Sequence, residues 1–496
     1  MNSEARIPIV VSASGHREVK EADVPVIKDA VIRELKRLQE EYSSSEIRLM
    51  TNLAIGADTI CAQAALELCI PLIAALPLDI EDYRKDFAGQ DLAIFNGLVD
   101  RAKEVFTVHE VEKRPADAAR NFSYRQGGFY IVRHSQVLLA LWEGNPATPG
   151  GCGVAEVVEY AVEQGNTVIQ VCTPRTMGNP GEVSYLGSDE STLRITDEYN
   201  ERAGALPKSE RENIFPEPYN AANSLSVSAA TQYRQLLKLL AVFGTGIAVC
   251  FLLYDELSFF GAIFACGLLL ALIYLIRKYI FRKRLQKNFL EYRVLAELIR
   301  VQAYISYAGS PLDTSKLYTL SLKKQIPWVC KAVPVLYYGE ASAPHDISDV
   351  WLRNQRDYHL HAGKKSGIKL KKQDAVSKAA LSLSLLIYVL AIVFEIFVKN
   401  KMATGTASTI RTIIGLCLGS FSAAALFIGS YYGKQSVSRQ NADNEKMAAF
   451  FESSLKKHEL YGQTEEFLED CAREEIIENA NWFITMSENT PDFEIF

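Results

Sequence analysis

The chain has 496 residues, room for two or three domains, and carries 53 Lys and Arg against 59 Asp and Glu, a net charge of −6. That balance excludes a broad nucleic-acid-binding surface, which needs a concentrated basic face. The nine cysteines (61, 69, 152, 172, 250, 266, 330, 417 and 471) form no C-x-x-C pair, so they read as reduced, mostly buried thiols with no metal site.

The opening MNSEARIPIVVSASG shows no basic n-region followed by a long apolar stretch, so no secretory signal is expected. Strand and helix signals then alternate. Strands are expected at Ile7–Ser12, Ile47–Thr51, Pro71–Leu76, Glu104–Val108, Gln136–Leu141 and Thr167–Val171. Helices are expected at Val24–Tyr42, Thr59–Leu68 and Ala155–Gln164. This alternation implies an α/β Rossmann-like domain over 1–174, a parallel sheet with helices on both faces. Residues 175–223 are rich in Gly, Pro, Ser, Asn and charge and read as a linker or lid, with a short helix near Leu193–Ala203.

Four apolar runs follow, Leu236–Tyr254, Leu257–Ile276, Ala379–Val398 and Ile410–Tyr431. Each approaches the ~20 residues that a helix needs to cross a hydrocarbon core. They divide the second half into a two-span unit over 224–308, an irregular connection over 309–350 and a second two-span unit over 351–496 with C-terminal cytoplasmic helices. Helical spacing is visible at Arg282–Tyr307, Trp351–Tyr358, Gln435–Lys456 and Glu465–Phe483. Arg277, Lys278, Arg282, Lys283, Arg284 and Lys287 follow the second run, and Lys364, Lys365, Lys369, Lys371, Lys372 and Lys378 precede the third. By the positive-inside rule both flanks and both termini are cytoplasmic, and the connections at Asp255-Glu256 and Lys399 to Thr409 lie outside. Lys399 and Lys401 dissent mildly.

Ligands of open α/β sheets bind beyond the carboxyl ends of strands, where helix N-termini favour phosphate oxygens. Three strand-end motifs have that placement: Ser12-Ala13-Ser14-Gly15-His16-Arg17, Gly56-Ala57-Asp58, and Pro149-Gly150-Gly151-Cys152-Gly153-Val154-Ala155-Glu156. Their glycines allow close backbone approach to a phosphate, Arg17 and Arg125 supply cations, and Glu156 accepts from a ribose or base. Asp58 is either a ligand contact or a helix N-terminal charge. Tyr130 and Trp142 are either core or base-stacking platforms.

The runs TNLAIGADTICAQAALELCIPLIAALPLDIEDYRKDF and YRQGGFYIVRHSQVLLALWEGNPATPGGCGVAEVVEYA resemble the SLOG superfamily. That superfamily includes LOG enzymes and the nucleotide-sensing region of TRPM channels. The membrane half is similar to the two-transmembrane SLATT modules of bacterial conflict systems. The resemblance implies a nucleotide or ADP-ribose-like ligand and no certain cofactor. LOG phosphoribohydrolases carry P-G-G-x-G-T-x-x-E. Pro149, Gly150, Gly151 and Gly153 match, but Val154 stands at the threonine position and Val157 at the glutamate position, with Glu156 one residue early. One residue turns a helical side chain by about 100°, which puts LOG catalysis in doubt and leaves phosphate cradling untouched.

In the membrane half, Glu395 is an acidic residue inside an apolar run, Asp255 and Glu256 are placed to ring an outer mouth, and Gly415 and Gly419 form a small-x-x-x-small face. These are the pore candidates. The expectation is a nucleotide-gated membrane effector: a multi-pass homo-oligomer of the cell inner membrane that senses a small nucleotide messenger in antiviral defence. Its rivals are an anchored nucleotide hydrolase or phosphoribohydrolase and a structural scaffold.

Overall fold

The computed structural model describes residues 2–109, 112, 120–146, 153–175, 178–187, 190–208, 214–339, 343–398, 403–433 and 437–488, without the side chains of 428 and 430–433. By contacts the chain divides into two compact units. The first comprises Met1–Asn223, Leu295–His345 and Glu465–Ile477, the second Ser224–Val294, Asp346–Thr464 and Glu478–Phe496.

The first unit is built on seven strands: β1 (Ile9–Gly15), β2 (Ile47–Thr51), β3 (Leu72–Leu76), β4 (Glu104–Thr107), β5 (Val137–Leu141), β6 (Thr167–Val171) and β7 (Val183–Leu186). They form one sheet in the order β4-β3-β2-β1-β5-β6-β7, parallel throughout except for the antiparallel β6–β7 pair. Helices α1 (Val24–Glu41), α2 (Ala57–Glu67), α3 (Ile80–Tyr83), α4 (Gly89–Arg101), α5 (Arg120–Arg133), α6 (Val154–Gln164) and α7 (Ser191–Gly204) connect or cover the strands. Continuous apolar strands follow from burial on both faces. In β5, Val137, Leu139 and Leu141 join the core that includes Ile27, Leu35 and Cys61 of α1 and α2, while Leu138 and Ala140 join Val132, Val157 and Ala161 of α5 and α6.

Residues 175–223, read from the sequence as a linker or lid, carry strand β7, helix α7 and the start of α8 (Glu217–Leu257). Asn200 of α7 ties this stretch to the sheet: its Oδ1 accepts from Ile7 N at 2.8 Å and its Nδ2 donates to Ile7 O at 2.7 Å. Residues 309–345, read as an irregular connection, also belong to the first unit and hold α11 (Leu320–Gln325) and α12 (Pro327–Ala332). Arg133 pairs with Asp313 at 3.1 Å, His134 Nδ1 donates to Pro334 O at 2.8 Å, and Gly339 N donates to the Tyr130 hydroxyl at 3.1 Å. Trp328 is buried with its ring 5.8 Å from that of Tyr199.

The second unit is helical. It takes most of α8, all of α9 (Gly261–Arg282), the first part of α10 (Leu285–Tyr307), α13 (Asn354–Val393), α14 (Thr404–Gly433), α15 (Val437–Tyr461) and the end of α16 (Glu465–Glu488). Among the described residues four helices are long and apolar enough to cross a membrane: Glu217–Leu257, Gly261–Tyr307, Ser348–Val398 and Thr404–Phe427. Large apolar side chains on them stay uncovered, with Phe264 68%, Leu381 72% and Leu426 75% exposed. Water does not tolerate such an extended apolar surface, whereas lipid does.

Two boundaries differ from the sequence expectation. Asp255 and Glu256 lie within α8, and the break before α9 falls at 258–260, where Ser258 takes a φ of 50°. The expected helix from Arg282 to Tyr307 begins instead at Leu285, after Arg284 at φ 46°.

Candidate functional site

The strand order reverses between β1 and β5, and loops leaving them depart to opposite sides. This divide is where open α/β sheets hold ligands. A cavity of about 430 Å³ lies there, lined among others by Ser14, Gly15, His16, Arg17, Asn52, Asp58, Arg125, Gly153, Glu156 and Arg175.

Its floor is backbone packed on backbone. His16 N donates to Leu141 O at 3.1 Å, and Ala57 N donates to His16 O at 3.0 Å, so the loops after β1, β2 and β5 are tied together. A Cβ on Gly15 would stand 2.5 Å from both Leu141 O and Ala57 Cβ. Gly56 has a φ of +87°, and a Cβ there would stand 2.2 Å from Arg17 O. Both glycines are required by the packing of these loops.

The side chains around this floor are charged. Asp58 is buried at 5% exposure, accepting from Thr51 Oγ1 at 2.8 Å and from Ala54 N at 3.3 Å. Burial pushes its carboxyl up to about 6, although those hydrogen bonds and the nearby Arg17 favour ionisation. The Arg17 guanidinium lies 4.9 Å from the centre of the Tyr124 ring. Arg125 Nε meets Glu156 Oε1 at 2.8 Å, and its guanidinium lies 5.0 Å from the centre of the Phe129 ring. His16 Nε2 is 3.5 Å from Glu143 Oε2, which also accepts from Arg175 N at 2.9 Å. Burial, then Arg175, lowers the His16 pKa more than Glu143 raises it, so the ring is neutral at pH 7.

The raised Asp58 pKa gives a signed expectation. Between about 3.8 and 6 the folded state holds a proton on Asp58 that the unfolded state has released, so this group's contribution to stability is full below that window and is lost as pH rises through it. Asp58→Asn should therefore flatten the pH dependence of thermal unfolding between pH 4 and pH 7. A variant curve parallel to the wild type would show that the carboxyl titrates normally.

Eight of the residues singled out in the sequence line the cavity: Ser14, Gly15, His16, Arg17, Asp58, Arg125, Gly153 and Glu156. Ser12 does not line it; its hydroxyl donates to Val137 O at 3.1 Å and accepts from Ser135 Oγ at 2.8 Å inside the sheet. Trp142 is core, packed with Val132 and Val158. Gly56 and Ala57 form the floor beneath. Tyr130 lines a separate cavity of about 290 Å³. Gly150 and Gly151 lie outside the described residues. Asn52, Tyr124, Gly128 and Arg175 line the cavity without having been singled out. Asn52 directly follows β2, just ahead of the Gly56-Ala57-Asp58 motif, and Arg175 follows β6, so the strand-end rule extended to these positions points to both. Tyr124 and Gly128 come from α5, which precedes its strand and carries no such signal.

In the second unit, Glu395 pairs with Arg411 of α14 at 3.2 Å. A Cβ on Gly415 would stand 3.2 Å from Glu256 Oε1, and one on Gly419 2.6 Å from Leu252 Cδ1. Glu256 and Leu252 both belong to the last turns of α8, so the small-residue face of α14 is a helix-packing face within the chain. Asp255 neighbours this contact in α8.

The arrangement at the β1/β5 divide can hold an anion beside a polar group. Arg17, Arg125 and Arg175 bring three positive charges, and α6 presents its N-terminus at Gly153 and Val154. No family model matches the chain, and no curated protein matches it.

Proposed function

We propose that this chain is a nucleotide-gated membrane effector, in which the cavity at the β1/β5 divide binds a nucleotide-derived or ADP-ribose-like messenger. The observation that carries this reading is the convergence of Arg17, Arg125 and Arg175, from three separate elements, on a cavity at the strand-order reversal. Guanidinium groups and helix N-termini suit phosphate oxygens, and Tyr83 and Tyr124 supply aromatic surface beside them. In this reading the four apolar helices form two spanning pairs with both termini cytoplasmic. They assemble as a homo-oligomer in the inner membrane, and the setting is bacterial conflict.

Gating needs only that the ligand favour one state. About 2 to 3 kcal/mol of differential affinity shifts a two-state population roughly 30- to 150-fold. Helices α8, α10 and α16 each contribute residues to both units, so helix continuity offers a route for that energy.

The test uses full-length protein in lipid nanodiscs and liposomes. Thermal shift against ADP-ribose, NAD and mononucleotides should identify a ligand, since binding raises apparent stability by mass action. Arg17→Ala should weaken that ligand by about tenfold or more, the loss of one charge-assisted contact. The same ligand should trigger ion flux. Binding without flux, accompanied by product formation, would favour the anchored hydrolase, for which Glu156 and Asp58 are the cavity carboxylates. Arg17→Ala binding as tightly as the wild type would remove the cavity assignment.

A further inference from the structure

Helix α9 of the second unit leaves its apolar stretch through a dense run of cations. Arg277, Lys278, Arg282, Lys283, Arg284 and Lys287 follow one another with no Asp or Glu between Arg277 and Glu291. Two of the six are already engaged: Lys287 pairs with Glu291 at 3.7 Å, and Arg284 has an interaction of its own. Arg277, Lys278, Arg282 and Lys283 are exposed, and among the described residues no carboxylate lies within ion-pair distance of them. The Lys278 ammonium lies 5.8 Å from the centre of the Tyr274 ring, a contact that orients the charge without neutralising it.

These cations stand among apolar side chains that the chain leaves uncovered. Leu270 is 56%, Tyr274 64% and Phe281 84% exposed. At about 100° per residue, Phe281 falls between Arg277 and Lys278 around the helix, and Tyr274 and Leu270 continue the same stripe into the apolar part of α9. Lys278 and Arg282 are one turn apart and so are neighbours on that surface, where like charges repel. An anion set between them relieves the repulsion.

The stripe also says which anion. A free phosphate ion would satisfy the two cations and leave Phe281 and Tyr274 in water, which does not favour a continuous apolar surface. An anionic phospholipid satisfies both parts. Its phosphate meets Lys278 and Arg282, while its glycerol and upper acyl carbons cover Phe281, Tyr274 and Leu270.

We propose that the C-terminal end of α9 is a binding site for an anionic phospholipid, with Lys278 and Arg282 on its phosphate and Phe281 against its glycerol backbone. The proposal rests on α9 crossing a bilayer. It is independent of what the cavity at the β1/β5 divide holds.

The experiment places full-length protein in phosphatidylcholine nanodiscs into which phosphatidylglycerol is titrated at constant ionic strength. Thermal unfolding is the readout, and phosphatidylglycerol should raise the midpoint saturably. Lys278→Ala and Arg282→Ala should each raise the phosphatidylglycerol content needed by about fivefold, the worth of one basic residue at an anionic surface. Phe281→Ala should raise it too with every charge retained, which a diffuse surface potential does not do. All three positions are exposed, and unfolding in phosphatidylcholine alone reports whether each variant folds. No saturable effect of phosphatidylglycerol overturns the proposal. So does a titration left unchanged in the Lys278→Ala/Arg282→Ala double variant, because the lipid would then sit elsewhere. A Phe281→Ala response equal to the wild type would leave only diffuse surface charge and overturns the site as well. Soluble glycerol phosphate saturating the same response in pure phosphatidylcholine would make the headgroup alone the ligand and remove the lipid. Extraction of the protein from membranes by alkaline carbonate would remove the span itself, a failure separate from the others.

Discussion

Replacing Gly56 with Ala should lower stability by roughly 3 to 5 kcal/mol and abolish ligand binding in the cavity at the β1/β5 divide. Two costs combine at this one position. Gly56 has a φ of 87° and a ψ of −114°, a region that residues with a Cβ avoid. Its Cβ would also lie 2.2 Å from Arg17 O and 2.6 Å from His16 O. Those are backbone atoms, which cannot swing aside as a flexible side chain would. Either the β1 loop lifts, carrying Arg17 away and breaking the bond from Ala57 N to His16 O, or α2 shifts on the sheet. Thermal unfolding with nucleotide titration checks this. A variant within about 1 kcal/mol of the wild type, the ordinary scale for a point mutation, would show that the two loops are not packed as described.

Arg300→Ala should cost about 3 to 5 kcal/mol, the usual penalty for stranding a buried charge. Arg300 of α10 lies 2.5 Å from Glu297 of the same helix and 3.4 Å from Glu475 of α16, and the two carboxylate side chains are only 3% and 2% exposed. Without the guanidinium, two buried carboxylates lose the cation they share. Adding Glu475→Gln to the variant should recover part of the loss, and the double-mutant cycle measures how much of it belongs to the pair. If the two losses simply add, Arg300 and Glu475 are not coupled.

Much of the first unit was legible because parallel strands buried on both faces are apolar runs, as β3 and β5 are throughout. The seventh strand, Val183–Leu186, is a polar-containing edge strand with Ser184 and Tyr185 exposed, so it carries no such run. Residues 309–345 were unreadable for a related reason. Their helices have only six residues each, too short for periodicity, and they are held by tertiary contacts such as Arg133 to Asp313. At the candidate site, strand-end reasoning points to the loops after β1, β2 and β5, but a glycine demanded by φ, as Gly56 is, looks the same in sequence as one demanded by a phosphate. In the membrane half Glu395 drew notice as an isolated acid. Its partner Arg411 sits 16 positions along the chain on the next helix, and no local pattern joins them.

The interleaving of the two units has a consequence for synthesis. The first unit takes its last residues from Glu465–Ile477, and Ser310 donates to Glu465 at 2.6 Å there. The sheet is complete in the chain by Leu186, yet these partners emerge only after all four apolar helices have been made. From residue 223 to residue 477 a ribosome at ~5–20 residues per second needs about 13 to 50 s. Asp313 emerges early in that interval, but Arg300 has no Glu475 to pair with until its end. All four apolar helices are therefore made before the first unit can close, and a chain stalled within that interval would leave the unit open to proteolysis.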